Sequence, residues 1–476
     1  MHVAIPCLRS IISWSGAQGM NAVGALPIHG RTSFAKGAFV TPTYRIPFAT
    51  TTLIFLSFIG VFLYSGDAGS IAGDYLEFAL DYNSTEAVEE NILRDLASRP
   101  SLVSQRAFVT IPVLSTEAPV RKLSKLAGYD LKSFFPKLSL NLKYFLARAQ
   151  RQSGIAGFGG LTLYEANIYG YSADETRALT EQLKAIYSTH ILVHVRRAGG
   201  IQQDFSVVIR PIIALDCDFS RSQFRYCRNV KEEFADLHLP SEELHERVAA
   251  ELVNMGVDTP LSPEIDLRPG AGPADSSAMT AAARNIVGTL SAHRLIPVAK
   301  HFMFDWSADP HEEEVHVGTP LNQYPLWLAP YSAMEESGVP YFLMVTHHSL
   351  LLDPGVPSPL SLKVKNLIRA RFPHAVIMAD DIRMRGLRRE GGISGTIERL
   401  KTDVFLFHAG NIMPELAPMI EGLTRSAGPE SEEALYRLLN LKWKMGILTI
   451  SPIYATAAKT DGGEAAAPDA ASGDRG

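Results

Sequence analysis

From about residue 106 onward, the chain alternates short apolar runs of strand length with longer segments of helical periodicity. One predicted helix, 172–187, has Ser172 as its N-cap and Glu175 at the capping-box position. Another, 242–255, ends before Gly256. Eight strands are predicted, within 107–112, 159–164, 207–216, 259–266, the run before Lys300, 341–345, 375–378 and 403–407. Because helices separate the strands, the pattern predicts an α/β fold of the parallel (β/α)8 barrel type.

An uncharged apolar segment precedes this pattern. No charged residue lies between Arg45 and Asp67, and residues 46–66 approach the roughly 20 apolar residues that cross a bilayer. The preceding flank carries four basic residues and no acid, which predicts a cytoplasmic N-terminus and an exported remainder. We interpret the segment as a transmembrane anchor. The alternatives are a signal peptide cleaved near Ala68 or Ala72, and a buried core helix.

These patterns divide the chain into five parts. Residues 1–45 are predicted to be a cytoplasmic tail, 46–66 the transmembrane anchor or signal, and 67–100 a helical linker that is most helix-like over 87–96. Residues 101–454 form the predicted barrel. Residues 455–476 are rich in Ala, Gly and Asp and are predicted to be disordered.

Composition narrows the classes of function. The chain has 476 residues, a net charge of −5 and 20% charged residues, so no strong basic field indicates a nucleic-acid partner. Its hydrophobic content of 46% is ordinary for a globular protein with one added apolar segment. Of the three cysteines, Cys7 precedes the apolar segment. Cys217 and Cys227 form a disulfide or remain free thiols, and the sequence leaves both open.

Polar clusters follow two of the predicted strands. Lys300 and His301 end one apolar run, and Asp309 and His311 follow them closely. Asp380 ends the buried run 375–378 about seventy residues later. Parallel α/β barrels carry their chemistry at the C-terminal ends of strands, so these side chains are expected to meet at one mouth.

Over roughly residues 155–410 the chain resembles glycoside hydrolase family 3, and most of all its bacterial β-N-acetylglucosaminidase branch. The family's Gly-Gly-hydrophobic strand is similar to 159–167, its Lys-His-Phe motif to 300–302, and its Asp-x-His loop motif to 309–311. Two segments depart from the pattern. The Pro-Gly-His-Gly that follows Lys-His-Phe and the Glu-Gly-Gly that follows the family's sugar-binding Asp are both absent here.

The resemblance implies a retaining glycosidase that needs no metal and no other cofactor. Asp380 is its implied nucleophile, and His311 with Asp309 is its acid/base pair. The implied sugar-binding residues are Asp216, Lys300, His301, Arg225, Arg268 and His347. The chemistry fits these roles, because a retaining enzyme needs one carboxylate that bonds to the anomeric carbon and a proton donor about 5 Å away.

Three hypotheses therefore stand. The first is a membrane-anchored, extracytoplasmic exo-glycosidase that acts on β-linked N-acetylglucosamine, with a carbohydrate and the membrane as its partners. The second is a degenerate barrel that binds a glycan or a protein without turnover, which the two missing segments favour. The third is a metal-dependent hydrolase that uses His301, His311, His347 and Asp380.

Overall fold

The computed structural model describes residues 76–82, 88–110, 157–164, 168, 172–197, 202–216, 241–268, 270–303, 323–387, 391–408 and 413–453. Several predictions lie outside these residues. They concern the tail, the apolar segment 46–66, the C-terminal tail, the three cysteines, Arg225, Asp309 and His311. Among the described residues, no helix has both the length and the apolar character needed to cross a membrane.

The described residues form twelve strands and nine α-helices. The strands are β1 (Leu76–Tyr82), β2 (Ala107–Thr110), β3 (Gly160–Leu163), β4 (Thr189–Arg197), β5 (Gln202–Ile209), β6 (Ile212–Leu215), β7 (Thr259–Pro260), β8 (Val298–Phe302), β9 (Tyr341–Val345), β10 (Ala375–Ala379), β11 (Val404–Phe407) and β12 (Leu448–Ile453). The helices are α1 (Val88–Ala97), α2 (Ala173–Tyr187), α3 (Ser241–Asn254), α4 (Pro273–Ala292), α5 (Tyr324–Glu336), α6 (Leu362–Arg371), α7 (Gly392–Arg399), α8 (Met413–Arg425) and α9 (Pro429–Lys444).

Eight of the strands build a nearly closed parallel barrel, as predicted. They pair in the order β7-β6-β3-β2-β11-β10-β9-β8, so each strand lies beside its neighbours in the chain. The segment after β7 joins β8 and brings the two ends of the sheet together. There, the Val298 amide donates to the Ser262 carbonyl at 2.8 Å and the Lys300 amide to that of Pro263 at 3.0 Å.

Side chains alternate across the barrel wall, because successive strand residues face opposite sides. Phe108 and Phe342, from opposite strands, meet inside with their ring centroids 5.5 Å apart. Val109 and Phe405 face outward into a core shared with the helices, among them Leu183 of α2. The capping box predicted for α2 is present, since the Glu175 amide donates to Ser172 Oγ at 3.2 Å and the Ser172 amide to Glu175 Oε2 at 2.8 Å.

A second sheet, which the sequence analysis did not predict, contains β1, β4, β5 and β12 in that order. It corrects one prediction: the linker 67–100 is not wholly helical, because β1 precedes α1 and pairs with β4. The barrel strand predicted within 207–216 is β6. The start of that run belongs to β5 in the second sheet, and the break falls at Arg210-Pro211. Pro211 has no N–H to continue a ladder, and the Arg210 amide donates to the Ile447 carbonyl at 3.2 Å.

The second sheet covers the end of the barrel at which the strands begin. The buried face of β4 and β5 packs with α1, α9 and the inner side chains of the barrel in one hydrophobic core. Within this region Lys442 of α9 is fully buried, and its Nζ donates to Gln105 Oε1 and to the Arg210 carbonyl, both at 2.9 Å. Burial lowers the pKa of Lys442 to about 7, against the opposing attraction of Asp258.

This lysine predicts a pH dependence of stability. The pKa of Lys442 is about 7 in the folded chain and takes its ordinary value of 10.5 in the unfolded chain, so the unfolded chain binds more protons between these values. The free energy of unfolding therefore rises with pH across this window. From pH 7 to pH 9 we expect the wild type to gain on the order of 1–2 kcal/mol over K442M, measured by urea unfolding.

The matched control is K444M, which replaces an exposed lysine on the same helix. Its unfolding free energy should follow that of the wild type at each pH. Identical pH slopes for K442M and the wild type would show that Lys442 is not held in a desolvated environment.

Candidate active site

Four residues predicted from sequence come together at the opposite end of the barrel, and we call them the mouth cluster: Asp216, Lys300, His301 and Asp380. Asp216 follows β6, the Lys-His pair lies in β8, and Asp380 follows β10. Lys300 Nζ lies 3.5 Å from Asp216 Oδ1. His301 Nε2 lies 3.9 Å from Asp380 Oδ2. The barrel thus brings together side chains up to 164 positions apart in the chain (380 minus 216).

The position of Asp380 follows from the strand before it. All five residues of β10 are buried, and Val376 and Met378 belong to the core inside the barrel. Alternation places Asp380 on the same inner side, at the rim. Its side chain keeps 18% of its surface exposed, so a substrate in the mouth has access to the carboxylate.

The surroundings of Asp380 favour its charged form. Burial by itself raises the pKa of this carboxyl, but positive charge on His301, His347 and Lys300 and the amide of Asp381 together lower it below its ordinary value. The Asp381 amide donates to Asp380 Oδ1 at 2.7 Å. An anionic carboxylate in a cavity mouth is the form that acts as a nucleophile.

His301 is supported from behind by a buried carboxylate. Asp266, whose side chain is fully buried, accepts a hydrogen bond from the His301 amide and lies 3.5 Å from its Nδ1. The hydroxyl of Tyr331 on α5 donates to Asp266 Oδ1 at 2.5 Å. Burial and Lys300 lower the pKa of His301, but the hydrogen bond to Asp266 and the charges of Asp266 and Asp380 outweigh them, so the net shift is upward. His301 therefore lies between two carboxylates, and they favour its charged form.

Asp381, next to Asp380, is oriented differently. Its Oδ1 accepts the backbone amides of Arg383 and His408, each at 3.1 Å. Burial raises the pKa of Asp381 to about 6; those two hydrogen bonds oppose the rise, and the charge of Asp380 adds to it. This residue ties the end of β10 to the end of β11, and only one of the two adjacent acids is presented to the mouth.

The remaining predicted site residues have different outcomes. His347 is buried after β9, close enough for its charge to act on Asp380. Arg268 is exposed, and within the described part of the chain its side chain makes no hydrogen bond or ion pair with the mouth cluster. Asp309, His311 and Arg225 lie outside the described residues, so their roles stay predictions.

Three mouth residues were missed by the sequence analysis, and we call them the wall cluster: Thr110, Tyr164 and His408. They follow or end β2, β3 and β11, the strands to which no motif had assigned chemistry. Thr110 Oγ1 lies 3.3 Å from His408 Nδ1, and the rings of Tyr164 and His408 meet edge to face with centroids 4.7 Å apart. Their one sequence signal is position, since each lies near or just after the C-terminal end of a predicted strand.

The described residues contain no group of three or more His, Cys, Asp or Glu side chains arranged to hold a metal ion. The metal-dependent hypothesis also uses His311, which lies outside the described part. Within that part, His301 lies close to two carboxylates, 3.5 Å from Asp266 and 3.9 Å from Asp380.

No protein-family model and no curated protein matches this sequence. Solved structures share its fold at low identity. A fungal multi-domain glycoside hydrolase family 3 β-N-acetylglucosaminidase is 16% identical with a TM-score of 0.50, over 73% of this chain and 39% of that one. CbsA from Thermotoga neapolitana is 12% identical with a TM-score of 0.50, over 72% and 70%. The family 3 β-N-acetylglucosaminidase from Paenibacillus sp. str. FPU-7 is 16% identical with a TM-score of 0.49, over 72% and 62%.

The two structures with a TM-score of 0.50 show that the chain shares their barrel fold, which is that of the fungal family 3 glycoside hydrolase. At identities of 16% and 12% they show the fold alone. The chain spans less than two thirds of the Paenibacillus and fungal enzymes.

The contact between Asp266 and His301 predicts a titration. Replacing Asp266 with Asn keeps the size of the side chain and an acceptor oxygen but removes the negative charge. We expect D266N to lower the pKa of His301, because one of its two carboxylate partners becomes neutral. The measurement is the pH titration of the His301 ring by NMR.

The control is D174N, which changes an exposed acid on α2. It should leave the His301 titration in place. An unchanged titration in D266N would show that Asp266 positions the backbone of His301 without stabilising its charged form.

Proposed function

We propose that this chain is a retaining glycoside hydrolase that removes β-linked N-acetylglucosamine from the end of a glycan, with peptidoglycan fragments as the candidate source. Asp380 acts as the nucleophile and forms the covalent glycosyl intermediate that water later releases. Lys300, His301 and Asp216 hold the hydroxyls of the sugar. His311, oriented by Asp309, donates a proton to the leaving oxygen and later takes one from water.

One observation supports this proposal above all: an anionic carboxylate at a barrel-strand end, with cationic donors around it. Burial disfavours the charge of Asp380, yet His301, His347 and Lys300 keep its pKa below the ordinary value. Lys300 also lies near Asp216, so a sugar in the mouth meets both a donor and an acceptor. The substrate class rests on the sequence resemblance and on the β-N-acetylglucosaminidases among the solved structures of similar fold.

The degenerate barrel is the second candidate, because a specific observation favours it. Met303 follows Phe302 where the family motif continues with Pro-Gly-His-Gly, so the loop that leads to Asp309 and His311 has a different sequence. In this reading the mouth binds a glycan, and the chain lacks turnover because the proton donor is displaced. Hydrolysis of any chromogenic glycoside by the wild type separates the two candidates.

The proposal also includes an extracytoplasmic location with an N-terminal membrane anchor. It rests on the uncharged segment 46–66 and on the four basic residues before it. This segment lies outside the described residues, so the argument is one of sequence and charge alone.

The nucleophile assignment predicts that D380N loses turnover of a chromogenic N-acetylglucosaminide by on the order of 10³-fold or more, because an amide cannot form the glycosyl bond. Steady-state kinetics at equal folded concentration provides the measurement. The neighbour D381N is the matched comparison. Asp381 accepts hydrogen bonds from two backbone amides, so D381N should clearly lower the melting temperature. Its effect on turnover should be much smaller than that of D380N. Near wild-type hydrolysis by D380N would refute the assignment.

The acid/base assignment predicts that H311A depends on the leaving group. Substrates with poor leaving groups should lose roughly 10²–10⁴-fold, and activated aryl glycosides should lose much less, because these leave without protonation. The control is H316A, a second histidine in the same segment. Equal losses on both substrate types would indicate that His311 binds substrate or supports the fold.

The topology predicts that a reporter fused after Leu96 is active only outside the cytoplasm. A fusion after Lys36, before the apolar segment, is the matched control and should report the opposite side. Cytoplasmic activity of the Leu96 fusion would overturn the orientation. A mature N-terminus near Ala68 or Ala72 would retain export and replace the anchor with a cleaved signal.

A further inference from the structure

The wall cluster completes the ring of polar side chains around the mouth. The mouth cluster, Asp266 and His347 occupy the ends of the third to seventh barrel strands. Thr110, Tyr164 and His408 occupy the ends of the first, second and eighth. His408 is half-buried at this position, whereas Thr110 beside it is buried.

One ring nitrogen of His408 has a protein partner. Nδ1 lies 3.3 Å from Oγ1 of the buried Thr110. Thr110 also interacts with the side chain of Tyr164. A threonine hydroxyl has one proton, which it can give to only one of these two neighbours. With that proton toward Tyr164, Thr110 accepts from His408, and in that arrangement the imidazole proton lies on Nδ1 and Nε2 carries the lone pair.

The charge of the ring agrees with this arrangement. Burial and the nearby Arg383 lower the pKa of His408, against the opposing attraction of Asp216. The neutral form of the ring is therefore favoured, and a neutral imidazole has one donor and one acceptor nitrogen. Because Nδ1 faces a buried hydroxyl and one side of the ring packs against Tyr164, Nε2 is the ring nitrogen that these contacts leave for a ligand.

The position of His408 is held by its backbone. Its amide donates to Asp381 Oδ1 at 3.1 Å, and its carbonyl accepts from Arg383 Nη1 at 2.5 Å. Asp381 directly follows Asp380, so the end of β11 is fixed relative to the candidate nucleophile by one side chain. A hydrogen-bond acceptor on such a fixed edge suits a ligand that carries hydroxyl groups.

We propose that His408 is a substrate-binding residue that determines specificity: its Nε2 accepts the proton of one sugar hydroxyl, and Thr110 is the positioning residue that holds the required tautomer. This inference rests on the proposed function in that its ligand is the sugar of the same mouth. It adds a contact from a strand end that neither the sequence motifs nor the ion pairs of the mouth cluster had indicated.

Two substitutions distinguish the two nitrogens of the ring. The amide of Gln places its polar atoms near the position of Nε2, and the amide of Asn places them near Nδ1. We expect H408Q to keep the sugar contact and to raise KM less than H408N does. We expect H408N to raise KM about tenfold, the loss of one neutral hydrogen bond, with a smaller effect on kcat. The substrates are 4-nitrophenyl N-acetylglucosaminide and its analogues that each lack one hydroxyl.

For the wild type, one deoxy analogue should be a poorer substrate than its parent. For H408N, that analogue and the parent should be equally good substrates. The missing hydroxyl of that analogue is then the one that His408 binds. For Thr110, nitrogen-15 NMR of the histidine rings should show the Nδ1–H tautomer in the wild type. That tautomer should be lost in T110V and restored in T110S. A purely structural role for Thr110 would lower stability in T110V without changing the tautomer.

The outcomes separate this inference from the proposed function. Calorimetric binding of N-acetylglucosamine is measured for the wild type, H408Q and H408N alongside the kinetics. Sugar binding without hydrolysis refutes the catalytic proposal, and the affinities of the variants still test His408. Hydrolysis with equal KM values for H408N, H408Q and the wild type overturns the inference and retains the function. A wild type that neither hydrolyses glycosides nor binds the sugar overturns both.

Discussion

The charge of Asp380 in a largely buried mouth is the constraint on which the rest of the site depends. A carboxylate that leaves water loses solvation free energy, and a protein keeps it ionised only with opposite charge or donors close by. Here His301, His347 and Lys300 supply the positive charge. His301 in turn is half-buried, and the hydrogen bond and charge of Asp266 behind it help to raise its pKa. Acidic and basic side chains thus alternate in the mouth, and each favours the charged form of its neighbour.

The two adjacent acids after β10 illustrate how position decides chemistry. The pKa of Asp380 is lowered and that of Asp381 is raised to about 6, although the residue type is the same. Asp380 faces positive side chains on the inside of the barrel. Asp381 instead accepts the backbone amide of Arg383 in its own loop and that of His408 after β11. Environments that separate two such pKa values are how protein sites assign different roles to identical groups.

The two ends of the barrel have different roles. At the N-terminal end, the guanidinium of Arg106 is buried and donates to the carbonyls of Asp403 and Thr402 at 2.8 and 2.9 Å. The side chain of Asp403 pairs with Arg369. These groups join strands and helices to each other. The mouth end instead carries short-range polar contacts among residues at the strand ends. In this fold, stabilising residues usually lie at the N-terminal end of the barrel and functional residues at the C-terminal end.

Local sequence patterns were enough to predict the barrel and about half of the residues at its mouth. Strand and helix periods are local properties, so the order of the eight barrel strands and the capping of α2 were readable directly, and the Lys300-His301 and Asp380 segments carried recognisable motifs. The second sheet was not predicted, although β1 alternates apolar and polar residues over Leu76–Tyr82, because its partner β4 begins more than 100 positions later, at Thr189. Nothing local indicates that pairing.

The remaining residues of the mouth could be identified only from contacts between distant parts of the chain. Thr110, Tyr164 and His408 are ordinary residues in sequence, and they become a cluster because closure of the barrel brings the first, second and eighth strands side by side. The support of His301 by Asp266 and Tyr331 likewise joins a strand end to a helix 65 positions away. Hydrogen bonds and charges act over a few ångströms whatever the separation in the chain, so the site was determined by which strand ends meet.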